Sequence, residues 1–517
     1  AVNLGQMKSS IEDSRIKYYS IKSDITANRN NSGAEGTNSM SIGPAAKATG
    51  NQSISIGLNT KSEGRNSIVI GNADSPTDTK QAIAYHESGI AIGTAASSKG
   101  QRSIAFGYYA ETQGKNTDLT SNDAIAFGTR AKVTADRGVA LGTDAVASGI
   151  NAFAQGTNSN ATATSSISIG TDSEVSGTNS LAVGRKNNVS GISSGAIGTT
   201  MNGSNDAANN VLGDNTYVVG NANASVVANN SSIMGNQNKL GDSFIGTDGL
   251  PKGVSSDNTG VLGNNNTVTA KESSVIGYNN ILGKKPANGS NDYDFAEKSG
   301  VMGSDNTVTG NNNRIIGNNN NDHDQDSVFI LGNNVGDTSD ILANSVYLGD
   351  NTSYVAKGSS TQGNEAYASI VDNGSTYSFA GGITPAGVVS IGSVGAERRI
   401  QNLAAGLVTA NSTDAINGSQ LYALTRPLGF KGDSGAEIKR GSNQTLDIIG
   451  GATGTLTSGN IGVTNESGKL VVKLTENLTN INSIKFKGGS TVELNTNGLN
   501  NGGNKITNVA TGTAATD

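Results

Sequence analysis

Apolar residues recur along this chain in pairs that flank one smaller residue and end at a glycine. The stretch Ser53-Ile54-Ser55-Ile56-Gly57 returns as Ser67-Ile68-Val69-Ile70-Gly71, then as Ile90-Ala91-Ile92-Gly93 and Ile104-Ala105-Phe106-Gly107. It returns again as Ile125-Ala126-Phe127-Gly128, Val139-Ala140-Leu141-Gly142 and Ile167-Ser168-Ile169-Gly170. The interval between glycines is most often 14 residues, as from 43 to 57 to 71 and from 128 through 142, 156, 170 and 184 to 198. Alternation at period two predicts a short strand whose apolar residues share one face. Read by hydrophobicity, that face is the core. Ile54, Ile56, Ile68, Ile70, Ile90, Ile92, Ile104, Phe106, Ile167 and Ile169 are then the expected interior, and Ser55, Ala91 and Ala105 the expected outer surface.

Small or branched residues follow three and five positions after the glycine, such as Ala46 and Ala48, Ala131 and Val133, Ala145 and Ala147. They predict a second strand. A further glycine often lies seven residues after the first, at Gly50, Gly64, Gly100 and Gly149. Two strands and two turns in 14 residues make one coil of a parallel β-helix, with each coil hydrogen-bonded to its neighbours. About twenty coils at about 4.8 Å each give a rod on the order of 100 Å. Each coil encloses only about four side chains, so a single stack buries little and side-by-side association is expected.

Interruptions fall at Asn72–Ser88, Lys115–Asp123, Met201–Asn210, Asp248–Asp257, Lys284–Lys298 and Asn319–Asp326. They are expected to loop out from corners. Beyond residue 198 the repeat turns asparagine-rich, as in Val261-Leu262-Gly263-Asn264-Asn265-Asn266-Thr267-Val268. Asparagine suits left-handed corners. Residues 1–30 precede the first coil and are expected to cover its open strand edges. After Asn351 comes an irregular stretch containing Tyr377-Ser378-Phe379-Ala380-Gly381.

Composition narrows the class. Hydrophobic residues make up 34% and aromatics 4%, with 70 glycines, which suits a thin repeat and not a set of ordinary globules. The absence of cysteine excludes thiol chemistry and disulfide stapling. A net charge of −6 with no basic patch gives no footprint for nucleic acid. No apolar run is long enough to span a membrane as a helix. The two histidines are His86 and His323. Asp322-His323-Asp324-Gln325-Asp326 reads as a solvated acidic loop, with no second cluster to complete a metal site. Acidic residues occupy varied coil positions, unlike the clustered carboxylates of β-helical carbohydrate enzymes. Neither a catalytic site, a cofactor nor a metal is expected.

The regular repeat stops at Val388-Val389-Ser390-Ile391-Gly392-Ser393-Val394-Gly395-Ala396-Glu397-Arg398-Arg399-Ile400-Gln401-Asn402-Leu403. Ser412-Thr413-Asp414-Ala415-Ile416-Asn417-Gly418-Ser419-Gln420-Leu421-Tyr422 follows. Thr413 or Asp414 is the expected cap of a short helix, with Ala415, Ile416, Gln420, Leu421 and Leu424 as its apolar stripe. This closely resembles the neck of trimeric autotransporter adhesins of Gram-negative bacteria, and the repeats resemble that family's head. The resemblance implies an all-β, left-handed parallel β-roll head in a homotrimer, a neck that leads into a coiled-coil stalk, and a following small β domain. It implies that Arg398, Arg399, Asp414, Asn417, Gln420 and Leu421 serve the neck and the trimer, the arginines by tying subunits together. A solvated arginine pair is the alternative.

On this reading residues 1–30 are a terminal segment, 31–387 the β-roll head and 388–424 the neck. Residues 425–480 resemble a Trp-ring domain, although the chain has no tryptophan and Phe430 is a candidate replacement. Residues 481–501 resemble a segment with a Gly-Ile-Asn signature, here Gly498-Leu499-Asn500. Residues 502–517 resemble the start of a second neck that stops before its helix. The family's outer-membrane anchor is not in the sequence. The resemblance implies an exported, non-enzymatic adhesin at the bacterial surface, with itself and host extracellular matrix or host cells as partners. A passive spacer rod, a self-association module and, further off, a carbohydrate-active β-helix are the alternatives.

Overall fold

The computed structural model describes residues 32–74, 80–113, 122–200, 208–245, 251–283, 296–337, 340–372, 374–441, 444–486 and 492–514, with a few positions before residue 32. The expected terminal segment falls mostly outside these residues, as does most of the added length around residues 75–79, 114–121, 201–207 and 284–295. The chain divides into two compact units, residues 1–415 and 416–517.

The first unit is a parallel β-roll. Among the described residues its two sheets hold 20 and 16 strands. The longer sheet collects the strands that precede each glycine, from Met40–Ile42 to Val346–Leu348, and ends on Val389–Ser390. The shorter sheet collects two-residue strands from Lys47–Ala48 to Thr307–Val308. Register holds across interruptions: Ile54 pairs with Ile68, Ile68 with Ile90 and Ile104 with Ile125. A one-residue slip would turn every side chain to the other face, so added length mostly leaves the strands; one extra residue is absorbed as a bulge, where Asn209 pairs with Asn223 but Val211 with Val226. In one case it forms an antiparallel hairpin, Asp242–Ile245 with Pro251–Val254.

Corners explain the glycines and the asparagines. Gly57 has φ 128°, and a Cβ there would lie 1.6 Å from the Gly71 carbonyl oxygen of the next coil. No side chain fits such an approach. Two and nine positions after most of these glycines stands a non-glycine residue in the left-handed region, such as Asn59 and Asn66, or Asn158 and Ser165. Asparagine tolerates that conformation best among residues with a side chain. Where arginine occupies it, the next coil supplies a partner: Arg102 meets Asp123 and Arg130 meets Asp144, each at 2.6 Å.

The interior has the opposite parity from the one expected. Ser55, Val69, Ala91, Ala105 and Ser168, the middle residues of their strands, are fully buried. Ile54, Ile56, Ile68, Ile90, Ile92, Ile104 and Ile169 are only half-buried, and Ile70, Phe106 and Ile167 are 41%, 40% and 38% exposed. The cause is volume. The corners between strands are so short that the slot between the sheets admits small side chains, as around Gly128, where Ala124, Ala126, Ala131 and Val133 fill it. The larger isoleucines and phenylalanines stand outside. Around Gly57 the slot is polar and closed by hydrogen bonds: Ser55 Oγ to Thr60 Oγ1 at 2.8 Å, and Ser62 Oγ to Ser67 Oγ at 2.6 Å.

From residue 208 the slot widens to hold Val261, Val268, Leu282, Ile315 and Ile330. Beside them runs a ladder of buried amides, Asn187, Asn209, Asn223, Asn238, Asn266, Asn280, Asn306 and Asn320. From Asn209 onward each Nδ2 donates to the Oδ1 one coil back, as Asn223 to Asn209 at 2.8 Å and Asn306 to Asn280 at 2.8 Å. From Asn209 onward each Oδ1 also accepts a backbone N–H from the next coil, as from Asn223 and Asn320, so the ladder satisfies its own buried amides.

The residues at 319–326 do not loop out. Asn321 bridges Thr307, and Asp322 is fully buried. Its carboxylate accepts the backbone N–H groups of Thr309 and Gly310 and the Thr309 hydroxyl, all at 3.0 Å. Asn313 donates to it at 2.5 Å. A side-chain carboxylate thus stands where the next strand of the shorter sheet would have supplied carbonyls. Asp324 and Asp326 are exposed, as the acidic-loop reading expected, but Asp322 is not.

The second unit contains the helix Gly418–Leu424 and a series of hairpins. These are Leu428–Phe430 with Ile438–Arg440, Ile461–Glu466 with Lys469–Leu474, and a meander of Ser483–Phe486, Val492–Asn495 and Gly498–Asn500. Asn460 is its buried polar anchor, holding Thr479 through both backbone groups at 2.9 Å. Ile448, Leu470 and Val472 are 89%, 80% and 67% exposed, so the single chain gives this unit almost no core.

Candidate functional site: the outer face of the long sheet

The residues one and three positions before each glycine form two rows on the outer face of the long sheet. The row next to the glycine is apolar nearly throughout, from Ile42, Ile56, Ile70 and Ile92 to Met302, Ile316 and Leu331, with Gln155 as an interruption. The ladder sets their spacing, because each strand is paired in register with the next. Phe106 and Phe127 stack flat, with centroids 4.7 Å apart and planes at 6°. Met234 is 59% exposed and Phe127 50%. A contiguous apolar strip of this length is an interaction surface and not ordinary solvent-facing decoration.

Below the last coil the chain closes the roll. Tyr347 is fully buried, and its hydroxyl accepts the Leu342 N–H at 2.7 Å. Arg398 donates to the carbonyls of Ile391 at 2.7 Å and Asp350 at 2.8 Å. Its guanidinium lies against Gly349, where a Cβ would come within 2.8 Å of Cζ. Within its own chain Arg398 thus joins the last coil to the segment that follows Val389–Ser390. Arg399 beside it is exposed. A cleft of about 460 Å³ opens here, lined by Tyr354, Val388, Ile391 and Arg398 among others.

The helix starts later than expected. Asn417 is its cap: the side chain accepts the Gln420 N–H, and Gln420 Oε1 accepts the Asn417 N–H, a reciprocal capping box. Asp414 is engaged elsewhere, accepting the Leu407 N–H at 3.0 Å, and Ala415 and Ile416 precede the helix. Leu421 and Leu424 are 52% and 66% exposed. Among the described residues no group of three or more His, Cys, Asp or Glu side chains could hold a metal.

Sequence comparison relates segments of the chain to known proteins. The YadA head domain repeat matches residues 34–60, 50–73, 87–110, 120–145 and 147–173. The coiled stalk of trimeric autotransporter adhesin matches residues 399–444 and 505–517. A curated relative, the autotransporter adhesin BtaE of Brucella suis biovar 1, is 54% identical over 56 residues, which is 11% of this chain and 7% of that protein. A solved C-terminal YadA-like domain from Burkholderia pseudomallei is 35% identical and covers 23% of this chain and 45% of its own, with a TM-score of 0.17.

Proposed function

The chain belongs to the trimeric autotransporter adhesins, whose head repeat and stalk it carries, and we propose that three copies pack through the outer face of the long sheet to form a rod-like surface adhesin segment. The observation that carries this is the double use of each strand. The middle residue fills the coil, so the flanking isoleucines and phenylalanines stand on the outer face, covered there only by their neighbours in the same rows and still half-buried or exposed. Burying such a side chain stabilises by roughly 1.5–3 kcal/mol, and the rows contain many. Packing three rolls face to face supplies that burial and turns the shorter sheet and the corners outward.

The function is then multivalent attachment to host extracellular matrix or host cells at the bacterial surface, by binding and not by catalysis. Identical outward faces repeat along each roll and around the assembly, so weak contacts add by avidity. The test is a binding screen of the purified chain against collagen, fibronectin, laminin and cultured cells. Saturable binding that requires the assembled form supports the reading. A correctly assembled rod that binds none of them contradicts it and leaves a spacer.

A further inference from the structure

Between the last coil and the neck stands a two-stranded antiparallel hairpin, Ser369–Asp372 with Ser375–Ser378. It pairs Ile370 with Tyr377 and Val371 with Thr376. Residues directly opposite share a face. One face therefore carries Ala368, Ile370, Tyr377 and Phe379, and the other carries Ser369, Val371, Thr376 and Ser378. Tyr367 adds to the apolar side by packing on Phe379, with centroids 5.2 Å apart.

Among the described residues that apolar face is only partly covered. Tyr367, Ile370, Tyr377 and Phe379 are 48%, 43%, 54% and 39% exposed. Among the described residues between 353 and 415, none is buried. Among the described residues each strand pairs only with the other, so both outer edges are open to a further strand. An isolated two-stranded hairpin is marginal in water, and an open edge is a template for another strand.

We infer that this hairpin pairs edge to edge with the same hairpin of two further copies, closing a six-stranded ring with Ile370, Tyr377 and Phe379 inside. The inference rests on the three-copy reading above. The two edges of a hairpin run antiparallel, so the Ser369–Asp372 edge of one copy matches the Ser375–Ser378 edge of the next. Such head-to-tail contacts close under rotation and leave no edge free. Six strands about 4.8 Å apart enclose a narrow bore that a few large side chains fill. Charge permits the approach, since Asp372 is the only charged residue between 366 and 387. Position favours it too, because Ser378 stands eleven positions before Val389, in the last strand of the sheet whose outer face carries the apolar rows.

Hydrogen exchange on the purified full chain, read by mass spectrometry alongside sedimentation, tests this. In a trimer, peptides spanning residues 366–382 should exchange at least a hundredfold more slowly than an open hairpin. The double variant Ile370→Lys, Tyr377→Lys should lose that protection while the coils keep theirs and the mass stays trimeric. Val371→Lys, on the outward face, should leave protection intact. A trimer whose hairpin exchanges as an open one overturns the ring and spares the three-copy reading. So does protection that survives the double variant. A monomeric mass overturns both.

Discussion

The roll is one architecture built in two ways, and the contrast lies between the coils of residues 40–198 and those of residues 209–349. In the first half the slot holds alanine and serine, as Ala91, Ala105, Ala126 and Ser168, while both outer rows are large, as Ile54 and Ile56 or Ile104 and Phe106. In the second half the slot holds Val261, Val275, Leu282, Val301 and Ile315. In its central coils the outer row three residues before the glycine shrinks to Ser232, Gly260, Ser274 and Gly300, between Tyr217 on one side and Arg314, Phe329 and Val346 on the other, whereas Met234, Leu262, Ile276 and Met302 persist beside the glycine. Apolar volume has moved from outside to inside. The first half leaves its large apolar residues on the outer face, and the second half carries more of its own core.

Leu282→Ala should have the largest effect. It empties part of a fully buried position and should cost about 2–5 kcal/mol locally, whereas Ala126→Gly in the first half should cost only about 0.5–1 kcal/mol. Exchange of the flanking amides as a function of urea reads each coil separately, which suits a repeat that need not unfold as one unit. Equal losses in the two halves would erase the distinction.

Asn266→Ala comes next. Asn266 donates to Asn238 Oδ1 at 2.9 Å and to the Gly277 carbonyl at 3.0 Å, and accepts from Asn280. Leaving such buried groups unpaired should cost about 1–3 kcal/mol and spread to both neighbouring coils. Ser168→Ala, which breaks only the bonds to Ser159 and Ser173, should stay local.

The smallest effect is one of pH. Burial pushes the Asp322 carboxyl up, and the donors from Thr309, Gly310 and Asn313 pull it only part of the way back. The folded chain then holds that proton more tightly than the unfolded chain. This group therefore adds stability below the ordinary carboxylate value, and the addition is lost as pH rises through the raised one. Protection of the amides of residues 309–313, corrected for intrinsic exchange, should rise modestly on acidification. Asp322→Asn should abolish the dependence, and protection that falls with acid would contradict it.

The 14-residue coil, its two strands, its glycine corners and the turn-forming asparagines were all legible, because steric limits at corners leave little choice of residue. Parity was not read correctly. Hydrophobicity placed Ile54 and Ile56 inside, but the alternation of small with large residues, Ser55 between two isoleucines, carried the answer through volume. The hairpin at Ser369–Ser378 was missed, although Asp372-Asn373-Gly374 between β-forming residues is a strong turn signal. The helix cap was misplaced at Thr413 or Asp414, although Gln420 three residues after Asn417 is the capping-box signal. Asp322 was not readable, since nothing local distinguishes a buried carboxylate that ends a sheet from one in solvent.

The decisive measurement is the mass of the intact chain in solution, compared with that of a variant carrying Ile56→Asp and Ile92→Asp on the outer rows. The account predicts a species of three times 52.2 kDa for the unaltered chain. It predicts loss of that species in the variant, with β-structure retained because neither residue fills the coil. A monomer of 52.2 kDa for the unaltered chain, or a variant that assembles undisturbed, would contradict it.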